Sequence, residues 1–333
     1  KFIANMDTMV QRIRAIKARP VILSASPINN GDILATLAGT AGNKRLHEYA
    51  DALKDFCAKQ EIPYGDQFHA LLDVWGRNKQ LDIIGSLKRL ADNDKLAGVE
   101  HLRAFLAEQA KNPAKFVSMQ GDAVHPGAPG QLMMATALLK QLGAEPFVSS
   151  ATIIVGEKGE VDTKGCIVES LKITDGKIAF ERLDERLPSP IPDDARSVVG
   201  FDPTILEMSL YTLKVTGLKP GNYDLTIDGS SLGVIPSKEL EAGVNLTAFG
   251  PGTNKKAPNP IAAHGKAILA AIGERAKLVG DWRALSKAAH APGAPEETTA
   301  KLAALTKRVE EADGRIRAAA TPRKMHVELT IAR

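Results

Sequence analysis

The side chains best suited to chemistry lie in the segment Gly121-Asp122-Ala123-Val124-His125-Pro126-Gly127. An aspartate three residues before a histidine on a loop can fold back and accept the imidazole Nδ1–H. That fixes the tautomer and leaves Nε2 free to take a proton from a hydroxyl nucleophile, the Asp–His half of a catalytic triad. Pro126 stiffens the loop, and a helix predicted just after it anchors the loop. A solvated loop in which Asp122 caps a turn is the competing reading, because short spacing motifs also match by chance.

Gly229-Ser230-Ser231-Leu232-Gly233 fits Gly-x-Ser-x-Gly, the nucleophile elbow of α/β-hydrolases. That elbow needs a strand-to-helix turn. Here Asp228-Gly229 follows an alternating strand and residues 232–235 continue as another, so a hairpin tip is predicted. The remaining histidines are read as solitary. His47, His69 and His101 fall in or beside predicted helices, and His264, His290 and His326 stand alone further on. Asp66 and Asp73 could line a cleft edge, with a turn-capping role favoured for Asp66. No Gly-rich phosphate loop appears. The mixed charges of residues 296–324 read as a solvated helix face.

The elements that must position these groups follow from hydrophobic period. Phe2, Ile3, Met6, Met9, Val10, Ile13 and Ile16 have the spacing of a helix with one buried face. Pro20 stops it, and Val21-Ile22-Leu23 predicts a short strand buried on both faces. A loop over 26–43, a helix over 44–59, a strand at 62–64 and two more helices follow, the second near 99–110. Next come a strand at 116–118, the Asp122–His125 loop, and a helix over 128–142. This alternation is the grammar of an α/β domain with a parallel sheet, although three strands are few for one. The texture changes after Gly143. Strands at 152–155, 166–173 and 177–183 are predicted, the last two joined by Asp175-Gly176. Alternation then places strands around Leu213 and Val215 and around Tyr223, Leu225 and Ile227. Leu302, Leu305, Val309, Ala312, Ile316 and Ala319 form a narrow seam that Ile268, Ile272, Val279 and Trp282 of a preceding helix could face. Val327, Leu329 and Ile331 predict a final strand.

Composition narrows the function classes. With 44% hydrophobic and 25% charged residues, the chain is neither disordered nor collagen-like. A net charge of +4, dispersed along the chain, is too weak for a nucleic-acid footprint. No apolar run reaches the roughly 18–20 residues of a membrane helix. Two cysteines, Cys57 and Cys166, exclude a disulfide scaffold and a cysteine-based zinc site; whether they pair is left open.

Asp122-x-x-His125-Pro126, after a short strand and before a helix carrying Gly130, Leu132, Met133 and Met134, resembles the last conserved block of SGNH hydrolases (GDSL-type esterases and lipases). The strand ending in Ser24-Ala25-Ser26-Pro27 and the Tyr64-Gly65-Asp66 strand end are similar too. Leu213-x-Val215-x-Gly217-Leu218, Gly221-x-Tyr223-x-Leu225-x-Ile227-Asp228-Gly229 and Gly243-Val244-Asn245-Leu246 look like the C-terminal extension of a bacterial subfamily. The departure matters equally. The family's Gly-Asp-Ser, Gly and Gly-x-Asn-Asp blocks are absent, and Gly31-Asp32, Gly65-Asp66 and Gly121-Asp122 continue to Ile33, Gln67 and Ala123.

The resemblance implies an α/β fold: residues 1–143 as the C-terminal part of a three-layer, flavodoxin-like SGNH domain whose first third or more is not in this sequence. A β-rich accessory region over 144–250, a helical hairpin over about 260–320 and a strand over 325–332 complete the expectation. The implied activity is serine ester hydrolysis in the intact protein, with His125 as general base and acid and Asp122 orienting it. The nucleophilic serine would come from the missing segment. No cofactor and no metal are implied, and the substrate would be a small acyl ester or an acetylated carbohydrate. Family analogy favours a secreted or periplasmic location. A non-catalytic binding or scaffold protein is the alternative.

Overall fold

The computed structural model describes residues 1–28, 39–111, 124–156, 159–200, 202–252 and 258–332. They form two units, Lys1–Pro146 with Asp194–Met208, and Phe147–Asp193 with Ser209–Arg333. The chain is mixed α/β. None of its described helices is long and apolar enough to cross a membrane.

In the first unit, α1 (Phe2–Ala15) lays Val10 against Ile22, Leu53, Phe56, Cys57 and Ile62, with Phe2, Ile3 and Met6 packed beside them. Lys17 takes a left-handed turn at φ 58° and leads the chain to β1 (Ile22–Leu23). Helix α2 (Ala41–Lys59) then crosses over to β2 (Tyr64–Gly65), which pairs with β1 in parallel, as a crossover connection requires. Helices α3 (Gln67–Ala91), α4 (Val99–Ala110) and α5 (Ala128–Gln141) follow. The segment 194–208 returns to this unit, where α6 (Thr204–Glu207) packs on α5 and Lys140 pairs with Glu207 at 2.9 Å.

The expectation of a first strand buried on both faces does not hold. Ile22 is buried, but Val21 and Leu23 are 43% and 42% exposed. Side chains alternate across a strand, so Ile22 meets the α1–α2 core while its neighbours point the other way. There a Cβ on Gly65 would fall 3.2 Å from the Leu23 side chain and 2.7 Å from Leu138 of α5, so glycine permits this close approach. The strand predicted at 116–118 and the site residue Asp122 lie outside the described residues.

The second unit holds β3 (Phe147–Ile154), β4 (Glu160–Lys164), β5 (Cys166–Thr174), β6 (Lys177–Asp184), β7 (Leu210–Thr216), β8 (Asn222–Ile227) and β9 (Ser230–Pro236). Helix α7 (Ser237–Ala242), β10 (Val244–Asn245), the long α8 (Pro260–Ala289) and α9 (Glu296–Ala319), and β11 (Met325–Ile331) complete it. Two sheets form, in orders β10-β7-β3-β4 and β5-β6-β11-β8-β9. Strands β3 and β7 run parallel; the other pairs are antiparallel. Ile153, Leu213, Phe180, Leu225 and Val327 belong to one buried core.

Both predicted hairpin turns form where glycine or a small polar residue accepts positive φ. Gly176 has φ 78°, and Asp228 and Gly229 have φ 50° and 76°. Two successive positive φ values suit a tight hairpin, and β9 begins at Ser230, so a strand follows where an elbow would need a helix. Helices α8 and α9 pack as the seam predicts, with Ala312 and Ile268 buried. Ile272 is the exception at 42% exposed. Ile268, Arg275 and Trp282 repeat every seven residues toward α9, where Arg275 pairs with Asp313 and Trp282 Nε1 donates to Thr306. That register puts Ala271, rather than Ile272, in the seam.

Candidate functional site

Three polar settings stand out. The first is the loop entering α5. Gly127 caps the helix and Pro129 sits in its first turn, where a missing N–H costs nothing. A Cβ on Gly130 would lie 2.5 Å from Pro126 Cβ and 3.5 Å from the Trp75 ring, so glycine lets Pro126 seat against the helix. Gln131 Nε2 donates to the Pro126 carbonyl at 3.0 Å. His125 is exposed immediately before this anchored stub. Its sequence partner Asp122, like Ser118, lies outside the described residues. Ser24, at the end of the first strand, is buried and structural: its Oγ accepts the Phe68 amide at 3.0 Å.

The second setting overturns the reading of His47 and His69 as solitary. Asp66 follows β2, and its carboxylate accepts the His69 backbone N–H at 2.9 Å, capping α3 as the sequence suggests. The same carboxylate lies 2.8 Å from His69 Nδ1. His69 Nε2 then faces Asp51 Oδ1 at 3.6 Å, and His47 Nε2 faces Asp51 Oδ2 at 3.4 Å. The two rings meet edge to face at 4.9 Å, and His47 stacks on buried Phe68. Helix α2 supplies His47 and Asp51 one turn apart, and the start of α3 supplies His69. Asp66 is itself clamped, its N–H donating to Gln141 Oε1 while Gln141 Nε2 donates back to its carbonyl. Burial pushes the nearby Tyr64 hydroxyl up, and that hydroxyl donates to the Ala50 carbonyl at 2.9 Å. Burial likewise pushes the Cys57 thiol up.

The third setting is closed to solvent. In the second unit, Arg182 and Asp184 pair at 3.0 Å with both side chains 1% exposed. Arg182 also donates to Ser149 Oγ at 2.9 Å and to the Thr212 carbonyl at 3.0 Å. Asp184 accepts from Ser149 Oγ and from the Tyr211 hydroxyl, each at 2.6 Å. The guanidinium lies 4.4 Å over the Tyr211 ring. Burial, and the Asp184 carboxylate beside it, drive the Tyr211 hydroxyl far above the usual phenol range. Burial also raises the Cys166 thiol nearby, and Cys57 and Cys166 are both unpaired. Ser149 is thus a structural hydroxyl rather than a nucleophile. Ser231, in the Gly-x-Ser-x-Gly match, is exposed and donates to Asp224 at 2.5 Å.

The sequence matches no family profile and no curated protein. Among solved structures, the chain is similar to one described as a gut microbial diltiazem-metabolizing enzyme. The TM-score is 0.67 at 18% identity, covering 99% of this chain and 76% of that one. This likeness establishes a shared fold, one that an enzyme adopts.

Proposed function

We propose that this protein is a serine ester hydrolase of the SGNH type, in which this chain supplies the Asp–His half of the triad. His125 takes the proton from the nucleophilic hydroxyl and returns it to the leaving alcohol. Asp122 holds the imidazole tautomer and stabilises the imidazolium. The nucleophilic serine and the oxyanion donors come from outside these residues, since no Gly-Asp-Ser occurs among them. The observation that carries the reading is an exposed His125 on a stub anchored by Pro126, Gly130 and Gln131, directly before α5. A base must reach solvent and substrate while its backbone stays fixed, and this stub meets both needs. That a drug-metabolizing enzyme adopts this fold accords with an enzymatic role, and a small acyl ester or acetylated carbohydrate is the substrate we propose.

The test is hydrolysis of a small aryl ester by the intact protein and its His125→Ala variant. Loss of a triad member should lower kcat/KM by about three orders of magnitude or more, leaving the residual catalysis of binding and the oxyanion hole. Near-wild-type activity would end the assignment. The 333-residue chain alone should not react with a fluorophosphonate probe, which requires an activated serine beside an oxyanion site. Stoichiometric labelling of any serine in it would overturn the proposed division of the triad.

A further inference from the structure

We propose that His47, Asp51 and His69 form a zinc-type divalent metal site, with Asp66 orienting His69 from behind. Among the described residues these three offer ligand atoms that all lie within 4.8 Å of one another. The donor set, two imidazoles and one carboxylate, is that of a three-ligand zinc site. A tetrahedral ion with bonds of about 2.0–2.1 Å spaces its ligand atoms by about 3.3–3.4 Å. Asp51 turns a different oxygen to each ring, Oδ2 at 3.4 Å from His47 Nε2 and Oδ1 at 3.6 Å from His69 Nε2, so a small turn of the carboxylate would bring one oxygen to an ion held between the two imidazoles. Both distances exceed those of ordinary N–H···O hydrogen bonds, so Asp51 sits between the rings at ion-bridging range.

The arrangement behind the ligands sets this cluster apart from a chance surface pair. His69 Nδ1 is held by Asp66 at 2.8 Å, which turns Nε2 toward Asp51. Metal-bound histidines characteristically have such a carboxylate on the other ring nitrogen. Asp66 cannot drift, because α3 uses it as a cap and Gln141 holds its backbone on both sides. His47 is braced by stacking on Phe68, which is 1% exposed. Asp51 and Asp66 place two carboxylates beside the two imidazoles, the formal charge that a dication balances. Asp51 and His47 side chains are 60% and 54% exposed, so the fourth position opens to water.

Calorimetric titration of Zn²⁺ into the intact protein tests the site. One equivalent should bind, and His69→Ala and Asp51→Asn should each weaken it by at least about tenfold. Asp66→Asn, which touches no metal, should weaken it about 10–100-fold, as removal of an orienting carboxylate does. His101→Ala, exposed on α4, should leave it unchanged. Independently of any variant, Zn²⁺ should protect His47 and His69 from diethylpyrocarbonate, mapped by mass spectrometry, while His101 stays reactive. Absence of binding, or of this protection, would overturn the site. Binding that is insensitive to Asp66→Asn would reduce it to an ordinary surface chelate and overturn the built arrangement.

Discussion

The His47–Asp51–His69–Asp66 cluster and the Arg182–Asp184–Tyr211–Ser149 network use similar polar chemistry in opposite surroundings. In the second, every guanidinium nitrogen finds a protein acceptor and both carboxylate oxygens are engaged. Nothing is left to offer a ligand. In the first, Asp66 is fully occupied behind His69, while Asp51 faces solvent between two rings that it does not hydrogen-bond. Closure makes a polar group structural; an open coordination position makes it available for binding.

The largest effect that could break this contrast is expected at the closed network. Arg182→Ala leaves Asp184 buried without its counter-charge, at a cost of about 3–5 kcal/mol. Hydrogen exchange in β6 and β7 should accelerate accordingly. Replacing both partners, as Arg182→Met with Asp184→Leu, should recover a large part of that loss, because no lone charge remains. A double variant as weak as the single one would show that the network's remaining hydrogen bonds, rather than the ion pair, carry the stability.

Tyr211→Phe should cost less, about 1–3 kcal/mol, because one Asp184 oxygen loses its donor. This effect has a pH signature. The folded phenol titrates well above its ordinary value of 10.0, so its contribution is fully present below pH 10 and is lost as pH rises toward the folded value. The stability gap between wild type and Tyr211→Phe should therefore narrow above about pH 10. A gap that widens there would contradict the buried hydroxyl donor.

The smallest effects belong to the open cluster without metal. Asp66→Ala removes a helix cap and should cost about 1 kcal/mol. His47→Ala, on an exposed helix face, should stay within about 0.5 kcal/mol. Thermal melts in the presence of a chelator distinguish the two. A larger loss at His47 than at Asp66 would mean that the cluster is a packing feature after all.

Local periodicity made much of the fold legible. The Asp175-Gly176 and Asp228-Gly229 turns and the α9 seam are short-range patterns, and each formed; the α1 face formed in part, with Val10 buried beside Phe2, Ile3 and Met6 while Met9 and Ile16, the latter past the end of the helix, are exposed. What escaped was non-local or weakly patterned. Strand β4, Glu-Val-Asp-Thr-Lys, is a polar edge strand with no buried residue, so no alternation announced it. The parallel pairing of β3 with β7 joins residues far apart in the chain. The His47–His69 cluster spans two helices, yet two local hints existed. Asp51 stands one helical turn after His47, and Asp66-x-x-His69 repeats the spacing of Asp122-x-x-His125. Arg182 and Asp184 could also have been noticed, because period 2 places them on the same face as Ile178 and Phe180.

The position of β11 has a consequence for how the second unit is made. It lies between β6 and β8, the only strand bridging the hairpin β5–β6 to the hairpin β8–β9 in that described sheet. During synthesis each hairpin can close as soon as it emerges, but the sheet stays split until both long helices have followed and β11 is released. Over that interval the inner edges of β6 and β8 expose unpaired backbone groups, the condition under which nascent chains pair wrongly with one another. The late strand is thus a timing element, setting how long those two edges stay open before the sheet closes.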